Sequence, residues 1–329
     1  MQDVVIVSAC RSAIGAFGGS LRDTHAAHIA AAVMKTAVQR AGIDPGRIDD
    51  VRFGCCLEPS DALNVARVAS LLAGIPDTVT AATVNRVCIS GMEAVVSGMA
   101  MIQAGMADIV LAGGVEHMSG VPYEVPTARW GCRFQDQVFV DALFRALHSG
   151  SHILPLPETA PMETSRPPIS DFVGKPYIMG HTAEFMAQHF DISRQEMDEL
   201  ALRSNHNAER ATADGDFEEE IVPLEVVHKN KPATTISRDE HFRPGLTMED
   251  LAGLFYESLR RKIMLLPDDV LVQRQLELKR RGQSFQRQPI EAALGVVLFG
   301  DKDRVAQRDA FIADVDTGRA GDQAVYLPA

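Results

Sequence analysis

The residues best suited to chemistry lie around Cys88, in the stretch 85–95. A β-type run, residues 80–84, precedes this cysteine, and an apolar helical pattern, residues 92–106, follows it. A cysteine at the beginning of a helix lies near unpaired N–H groups and the positive end of the helix dipole, which favour the nucleophilic thiolate. Small buried cysteines are also common in protein cores. The position alone therefore leaves two interpretations open, a nucleophile and a core residue.

The cysteines as a set do not suggest a disulfide framework or a metal site. The chain has five of them, an odd number, and Cys55 and Cys56 are adjacent. Neither the CxxC nor the HExxH spacing occurs. This pattern is typical of free thiols in a reducing compartment, so we expect a cytoplasmic protein.

Composition argues against several classes of function. Of the 329 residues, 46% are hydrophobic and 23% are charged, which is ordinary for a globular chain of one large or two smaller domains. The net charge of −12 disfavours nonspecific binding to nucleic acid or anionic lipid, so neither is an expected partner. Residues 1–7 resemble a strand rather than a leader, and no apolar run reaches about 18 residues. We therefore expect neither a signal peptide nor a membrane span.

The elements that must position Cys88 alternate between strands and helices. Strands are predicted at 4–9, 50–54, 80–84 and 109–114, and helices at 24–41, 61–73 and 88–104. The continuous apolar run at 4–9 predicts a strand covered on both faces. The helix at 88–104 is apolar nearly all round, which predicts burial. The alternation predicts βαβ units and a mainly parallel sheet.

The character of the chain changes after residue 114. Residues 115–250 are predicted to form an inserted region with a helix at 182–190 and a strand at 221–227. Between them, Ser193 and Glu196 have the spacing of a capping box, which predicts the start of a helix that runs to about residue 214. In the tail, strands are predicted at 292–299 and 311–315, with a helical turn at 301–307.

Five segments, taken in chain order, are similar to those of the thiolase family. They are residues 5–21, 64–67 with 73–76, 85–95, 112–119, and 179–184 with the capping-box helix. The resemblance covers about residues 2–254. It implies an α/β, thiolase-like fold with an N-terminal βαβαβαββ half and an inserted loop domain. It also implies an acyltransferase of fatty acid metabolism that acts on acyl-CoA or β-ketoacyl-CoA, with Cys88 as the acyl-accepting nucleophile. The coenzyme A thioester is then the substrate, and no tightly bound cofactor or metal is expected.

The same resemblance implies that the chain is divided into three parts. Residues 1–114 correspond to the N-terminal α/β domain, and residues 115–250 correspond to the loop domain. Residues 251–329 form a divergent tail, of which 291–316 is expected to return to the N-terminal sheet.

Three further candidate site residues follow from the resemblance. Met179 matches a methionine beside the acyl pocket, although ordinary core packing would also explain it. Lys229 lies where thiolases place a basic residue near the CoA adenine or phosphates, and the alternative is a solvated face. His117 is a candidate base that could approach Cys88, and the alternative is a structural role.

The chain departs from the family pattern in its C-terminal part. No Thr-Ala-Gly-Asn-Ala-Ser-Gly type stretch follows residues 247–251, and residues 255–290 stand in its place. The sequence has no Gly-His-Pro tripeptide and no cysteine after Cys132, so the histidine and second cysteine of the family's second half have no counterpart. We therefore expect that this second homologous half is absent.

Because of this departure, we expect that this chain alone turns over its substrate weakly or not at all. The alternatives are a non-catalytic subunit that binds acyl-CoA or a partner, and a truncated or chimeric product. The expected partners are acyl-CoA and either further copies of the chain in a homo-oligomer or a complementary subunit.

Overall fold

The computed structural model of the chain describes residues 3–148, 179–228, 231–254 and 292–300. Lys229 and the elements predicted at 301–307 and 311–315 lie outside these residues. Within the described ranges, no helix is both long enough and apolar enough to cross a membrane.

The secondary structure follows the predicted alternation closely in the first 116 residues. In chain order, the elements are β1 (Val4–Ser12), α1 (Ala26–Ala41), β2 (Asp50–Gly54), α2 (Val65–Leu72), β3 (Thr80–Val84), α3 (Ser90–Gln103), β4 (Ile109–Glu116), β5 (Tyr123–Glu124), β6 (Val140–Asp141), α4 (Ala142–Leu147), α5 (Met179–His189), α6 (Arg194–Asp214), β7 (Ile221–Val222), β8 (Leu224–His228), β9 (Lys231–Ile236), α7 (Met248–Ala252) and β10 (Ala292–Gly300). The strands β2 and β3 have the predicted bounds. α2 begins four residues later than predicted, where Asn64 accepts a hydrogen bond from the backbone N–H of Arg67.

Six of these strands form one sheet in the order β3-β2-β4-β10-β1-β7. β2 is parallel to β3 and to β4, whereas β10 is antiparallel to both of its neighbours, β4 and β1. The sheet is therefore mixed, because β10 comes from the tail and fills the position between β1 and β4 without a βαβ crossover. The βαβαβαββ order expected for a thiolase-like fold is confirmed.

Helices cover both faces of the sheet. Met34 of α1 packs in one buried cluster with Leu111 of β4, and α2 contributes to the same cluster. Ile102 of α3 packs in a second cluster with Val110, the neighbour of Leu111. Because successive strand residues point to opposite faces, α1 and α2 lie on one face and α3 on the other.

The prediction that α3 is buried all round is wrong. Ala94 and Ile102 are buried, but Met92 is 61% exposed and Val96 is 45% exposed. An apolar outer face and a buried one have the same composition, so the sequence pattern does not separate them. The outer face of α3 is an exposed apolar surface of the kind that marks contact sites.

The prediction that β1 is covered on both faces is also wrong. Val5, Ile6 and Val7 are all more than two-fifths exposed. Only the C-terminal part of β1 is deeply buried, where the Cys10 thiol lies 3.5 Å from the carbonyl oxygen of Val33 in α1. The helix therefore packs against one end of the strand.

The inserted region contributes to the central sheet. The capping box at Ser193 and Glu196 is present and opens α6, as predicted. The strand predicted at 221–227 is divided at Pro223, which has no N–H to donate to a ladder. The part before it, β7, pairs with β1, and the part after it, β8, pairs with β9 in a separate hairpin. The division of the chain at residues 114 and 250 remains a prediction.

Candidate active site

Three chain segments that follow parallel strands meet at one edge of the sheet. Gly54 at the end of β2 is in register with Val84 of β3 and with Gly114 of β4. The carboxyl ends of these strands therefore lie side by side, at the edge where open α/β sheets form their ligand crevices. Cys55 and Cys56 follow β2, Cys88 follows β3, and Glu116 ends β4.

Glycines at this edge allow α3 to begin close to the sheet. A Cβ atom on Gly54 would lie 2.5 Å from the backbone nitrogen of Gly91, in the first turn of α3. A Cβ atom on Gly114 would lie 3.2 Å from the Cα atom of Gly91. The close approach of α3 to β2 and β4 thus depends on residues without side chains, and it determines where Cys88 lies.

Side chains on both sides of Cys88 hold the turn that leads to it. The Asn85 side-chain oxygen accepts a hydrogen bond from the N–H of Val87 at 3.0 Å. The carbonyl group of Val87 accepts hydrogen bonds from the hydroxyl and the N–H of Ser90. The Ser90 hydroxyl also accepts a hydrogen bond from the N–H of Arg86, at 2.9 Å. Both peptide groups of Val87 are therefore anchored immediately before Cys88.

The backbone at Val87 is strained. Its φ is 53°, in the left-handed region, which a β-branched residue rarely adopts. Such a conformation costs about 1–3 kcal/mol and persists where the surroundings impose it. Here the bonds from Asn85 and Ser90 impose it, and the resulting sharp turn presents Cys88 at the surface.

Cys88 itself is exposed and lies two residues before the first residue of α3. The residue at the N-cap, Ile89, provides no side-chain acceptor for the first turn of the helix. N–H groups in a first helical turn have no partner within the helix and attract negative charge. An exposed thiol beside such a helix start is suited to attack a carbonyl carbon and to have the resulting oxyanion held by N–H groups.

Glu116 anchors the segment after β2. Its carboxylate accepts hydrogen bonds from the N–H groups of Cys56 and Leu57, both at 2.9 Å. Burial raises the pKa of this carboxyl group, although the two backbone hydrogen bonds oppose the shift. The Asn85 side chain donates to the carbonyl oxygen of Cys56 at 3.0 Å, which connects this anchored segment to the turn before Cys88.

The three partly or fully buried thiols are poor nucleophiles at neutral pH. Burial raises the pKa of Cys10 to about 11, against the opposing charge of Arg40. Burial, followed by the charges of Glu116 and Cys88, raises the pKa of Cys56 to about 11. Burial and the same Glu116 carboxylate also raise the pKa of Cys55. Cys132, in contrast, is exposed.

Of the other predicted site residues, His117 directly follows Glu116 at this edge, whereas Met179 lies in α5, outside the sheet. His117 is buried, and its Nε2 atom lies 3.1 Å from the carbonyl oxygen of Leu21. Met179 is the first described residue of α5 and is 68% exposed. Lys229 lies outside the described residues. The described residues include no group of three or more His, Cys, Asp or Glu side chains arranged to hold a metal ion.

Two residues of the site were not predicted as such, Asn85 and Glu116. Glu116 had a signal in the sequence, because it is a single carboxylate at the end of a strongly apolar strand. A charge in that position needs hydrogen-bond partners. Asn85 had the weaker signal of an amide two residues before a turn, a position in which asparagine accepts a hydrogen bond from the backbone.

Comparison with known proteins identifies the family. The model of the thiolase N-terminal domain matches residues 4–258, and the chain belongs to the thiolase family. The chain is 39% identical over 254 residues to an acetyl-CoA acetyltransferase of Cupriavidus necator, covering 77% of this chain and 59% of that protein. It is 38% identical over 255 residues to the beta-ketothiolase BktB of the same organism, covering 77% and 58%.

A solved structure agrees with this assignment. The crystal structure of the Bacillus anthracis acetyl-CoA acetyltransferase matches with a TM-score of 0.72 and 33% identity, covering 92% of this chain and 67% of that one. The chain spans about three-fifths of the length of the curated relatives it matches. The family and the fold are therefore shared, over a shorter length than the relatives have.

Proposed function

We propose that this chain is a thiolase-type acyltransferase subunit in which Cys88 accepts an acyl group from acyl-CoA or β-ketoacyl-CoA. The observation that carries the proposal is the position of Cys88, exposed after an anchored and strained turn at the beginning of α3. The family motif around the cysteine supports the same role.

The first half-reaction follows from this geometry. With acyl-CoA as donor, the Cys88 thiolate attacks the carbonyl carbon of the thioester and forms a tetrahedral adduct, which collapses to an acyl-cysteine as the CoA thiolate leaves. With β-ketoacyl-CoA as donor, the thiolate attacks the β-keto carbon, the Cα–Cβ bond breaks, and the acetyl-CoA enolate that leaves takes up a proton. N–H groups at the start of α3 are suited to stabilise the oxyanion of the adduct. The CoA thioester is the substrate, and no resident cofactor takes part in this step.

The second half-reaction needs an acid and a base. In the family these functions belong to a Gly-His-Pro histidine and a Cys-x-Gly cysteine, and neither motif occurs in the 329 residues of this sequence. His117 stays a candidate base in the proposal, although its ring is buried against the carbonyl group of Leu21. We therefore expect this chain alone to acylate slowly and to complete little or no condensation.

Two residues are proposed to bind the substrate. Met179 is assigned to the acyl pocket, and its exposure at the start of α5 leaves it accessible to a ligand. Lys229 is assigned to the CoA adenine or phosphates on the family resemblance alone.

Association and location are part of the same proposal. The exposed apolar face of α3, including Met92 and Val96, supports association with further copies of the chain or with a complementary subunit. Five free cysteines support a reducing location such as the cytoplasm. A role in fatty acid metabolism follows from the substrate class.

The decisive experiment is acylation by acetyl-CoA, read by intact mass and peptide mapping. We expect one acetyl group on Cys88, no acetylation of Cys88→Ala, and wild-type acetylation of Cys132→Ala, which removes the other exposed thiol. Acetoacetyl-CoA cleavage is then measured in parallel. Acetylation at Cys132 instead of Cys88, or no acetylation of a folded chain, would refute the proposal.

A second candidate function is a subunit that binds acyl-CoA or a partner without turnover. The absence from this sequence of the family's acid and base motifs favours it. Saturable binding of acetyl-CoA that is unchanged in Cys88→Ala, together with no acyl-enzyme in the wild type, would select this alternative.

A further inference from the structure

A continuous chain of hydrogen bonds connects the buried end of β4 to the turn before Cys88. It begins at the Glu116 carboxylate, which accepts from the N–H of Cys56 at 2.9 Å. The carbonyl oxygen of Cys56 accepts from the Asn85 amide at 3.0 Å, and the Asn85 oxygen accepts from the N–H of Val87 at 3.0 Å. Each connection therefore has the length of a well-formed hydrogen bond.

This series of hydrogen bonds ends at Val87, whose backbone is strained. Val87 has a φ of 53°, and its conformation sets the direction in which the backbone enters Cys88. An isolated turn would relax from this conformation, because a β-branched side chain disfavours it. The N–H bond from Val87 to Asn85 opposes that relaxation on one side, and the two bonds from Ser90 oppose it on the other.

The position of Asn85 depends in turn on Glu116. The segment 55–57 leaves β2 and turns at the edge of the sheet, and Glu116 holds two of its N–H groups, those of Cys56 and Leu57. Without the carboxylate, both N–H groups lose their partner and the carbonyl group of Cys56 is free to rotate. Asn85 then loses the acceptor that orients its amide.

We infer that Glu116 and Asn85 are positioning residues that hold Cys88 in its reactive orientation through the backbone of Cys56. The inference rests on the proposed function in one respect, that Cys88 is the acyl acceptor. Neither residue is required to touch the substrate, and both act on the geometry of the nucleophile.

The test uses iodoacetamide, which reacts with thiols without any acyl-CoA chemistry. The readout is the labelling rate of Cys88 divided by that of Cys132 in the same molecule, followed by peptide mass analysis across a range of pH. Cys132 is exposed and serves as an internal reference. Circular dichroism and thermal unfolding verify that each variant is folded.

Glu116→Ala and Asn85→Ala are each expected to lower this ratio by a factor of about 3–10, the usual effect of one net hydrogen bond. The labelling ratio of the double variant is expected to be no lower than that of the more affected single variant, because both changes break the same series of hydrogen bonds. Glu116→Gln lacks the charge, as Glu116→Ala does, but keeps an acceptor oxygen, so it is expected to label faster than Glu116→Ala.

Two control residues make side-chain hydrogen bonds to the backbone in other parts of the fold, as Glu116 and Asn85 do. Glu240 accepts hydrogen bonds from the N–H groups of Ala16 and Ser20, and Asn205 both donates to and accepts from the backbone of Arg243. Glu240→Gln and Asn205→Ala are expected to leave the labelling ratio unchanged.

Several results would overturn the inference. An unchanged or raised ratio in Glu116→Ala would show that the carboxylate does not position Cys88, and effects that multiply in the double variant would show two independent roles. A wild-type chain that labels at Cys88, responds to these variants and is not acylated by acetyl-CoA would refute the proposed function instead. The two failures are therefore distinguishable.

Discussion

Gly54 and Gly91 approach so closely that a Cβ atom on Gly54 would lie 2.5 Å from the backbone nitrogen of Gly91. This contact joins the end of β2 to the first turn of α3. The neighbouring atoms are backbone atoms, which cannot move aside as the end of a flexible side chain can. The position of the start of α3, and therefore of Cys88, depends on the lack of a Cβ atom at Gly54.

We predict that Gly54→Ala destabilises the chain and displaces Cys88. Overpacking of this kind costs about 1–3 kcal/mol, and the shift of α3 should also lower the labelling rate of Cys88. Gly180→Ala is the control, because a Cβ atom there has no neighbour within 4 Å. Urea denaturation and iodoacetamide labelling measure the two effects. A Gly54→Ala chain with wild-type stability and labelling would contradict the close approach.

Local patterns in the sequence predicted those parts of the fold that depend on local interactions. The Ser193–Glu196 capping box predicted the start of α6 correctly, because it satisfies backbone groups within a few residues. The end of α1 at residue 41 was also predicted correctly, and there the left-handed Gly42 donates its N–H to the carbonyl group of Gln39. The turn before Cys88 was harder to predict, because Val87 is a β-branched residue that rarely adopts a left-handed conformation, and the weak signal of Asn85 does not by itself indicate one.

Long-range pairing was the part that local patterns could not supply. β10 reaches its position between β1 and β4 by antiparallel pairing with residues that are 176 or more positions away in the sequence, as between Ala292 and Glu116. The connection from Glu116 through Cys56 to Asn85 likewise joins three segments that are distant in the chain. The family resemblance predicts Cys88 as the nucleophile from its neighbours in sequence, whereas the structure shows which distant residues connect to the turn before it.

We predict that Cys88 is the fastest-reacting thiol in the folded chain. The partly or fully buried thiols should label at an appreciable rate only at high pH. A pKa of about 11 for Cys10 and Cys56 leaves about one molecule in a thousand as thiolate at pH 8. Cys56 labelling should therefore rise about tenfold for each pH unit from 8 to 10. Iodoacetamide labelling with peptide mass analysis measures the rates.

The control for this prediction is the unfolded chain. In concentrated urea all five cysteines should label at comparable rates, since burial no longer separates them. Slower labelling of Cys88 than of Cys132 in the folded chain would contradict the prediction.

We predict that the outer face of α3 limits the solubility of the isolated chain. Met92 is 61% exposed beside Val96, so Met92→Lys should reduce aggregation by interrupting an apolar surface. Met106→Lys is a matched control, because Met106 is 72% exposed at the turn that follows α3. Light scattering at increasing protein concentration compares the two. An equal effect of both variants would show that added charge alone is responsible.

We predict that Arg11 has a structural role that lysine cannot replace. Its guanidinium donates to both carboxylate oxygens of Asp239, at 2.7 and 2.9 Å, and to Glu220 at 2.6 Å. Arg11→Lys loses the two-point contact and should lower the free energy of unfolding by about 1–3 kcal/mol. Denaturation by urea measures this loss.

The control for Arg11 is a pair with similar geometry at the surface. Arg22 contacts both oxygens of Asp23, but both side chains are more than half exposed. Arg22→Lys should therefore change stability by less than about 1 kcal/mol. Equal losses in the two variants would mean that burial does not strengthen the Arg11 contact.

The last prediction concerns the pH dependence of stability at Glu116. Burial raises the pKa of this carboxyl group in the folded chain above its value in the unfolded chain. Between the two pKa values the folded chain binds more protons than the unfolded chain, so the free energy of unfolding falls as pH rises. Glu116 therefore contributes most to stability below the unfolded pKa and least above the folded pKa.

Glu116→Gln removes this titration. The difference in the free energy of unfolding, wild type minus variant, should fall as pH rises from about 4.3 and should level off above the folded pKa. Glu196→Gln is a control of opposite sign, because hydrogen bonds from Ser193 lower the pKa of Glu196. Its difference should rise with pH. Urea denaturation at a series of pH values measures both, and a Glu116 difference that rises with pH would show that the hydrogen bonds from Cys56 and Leu57 outweigh burial.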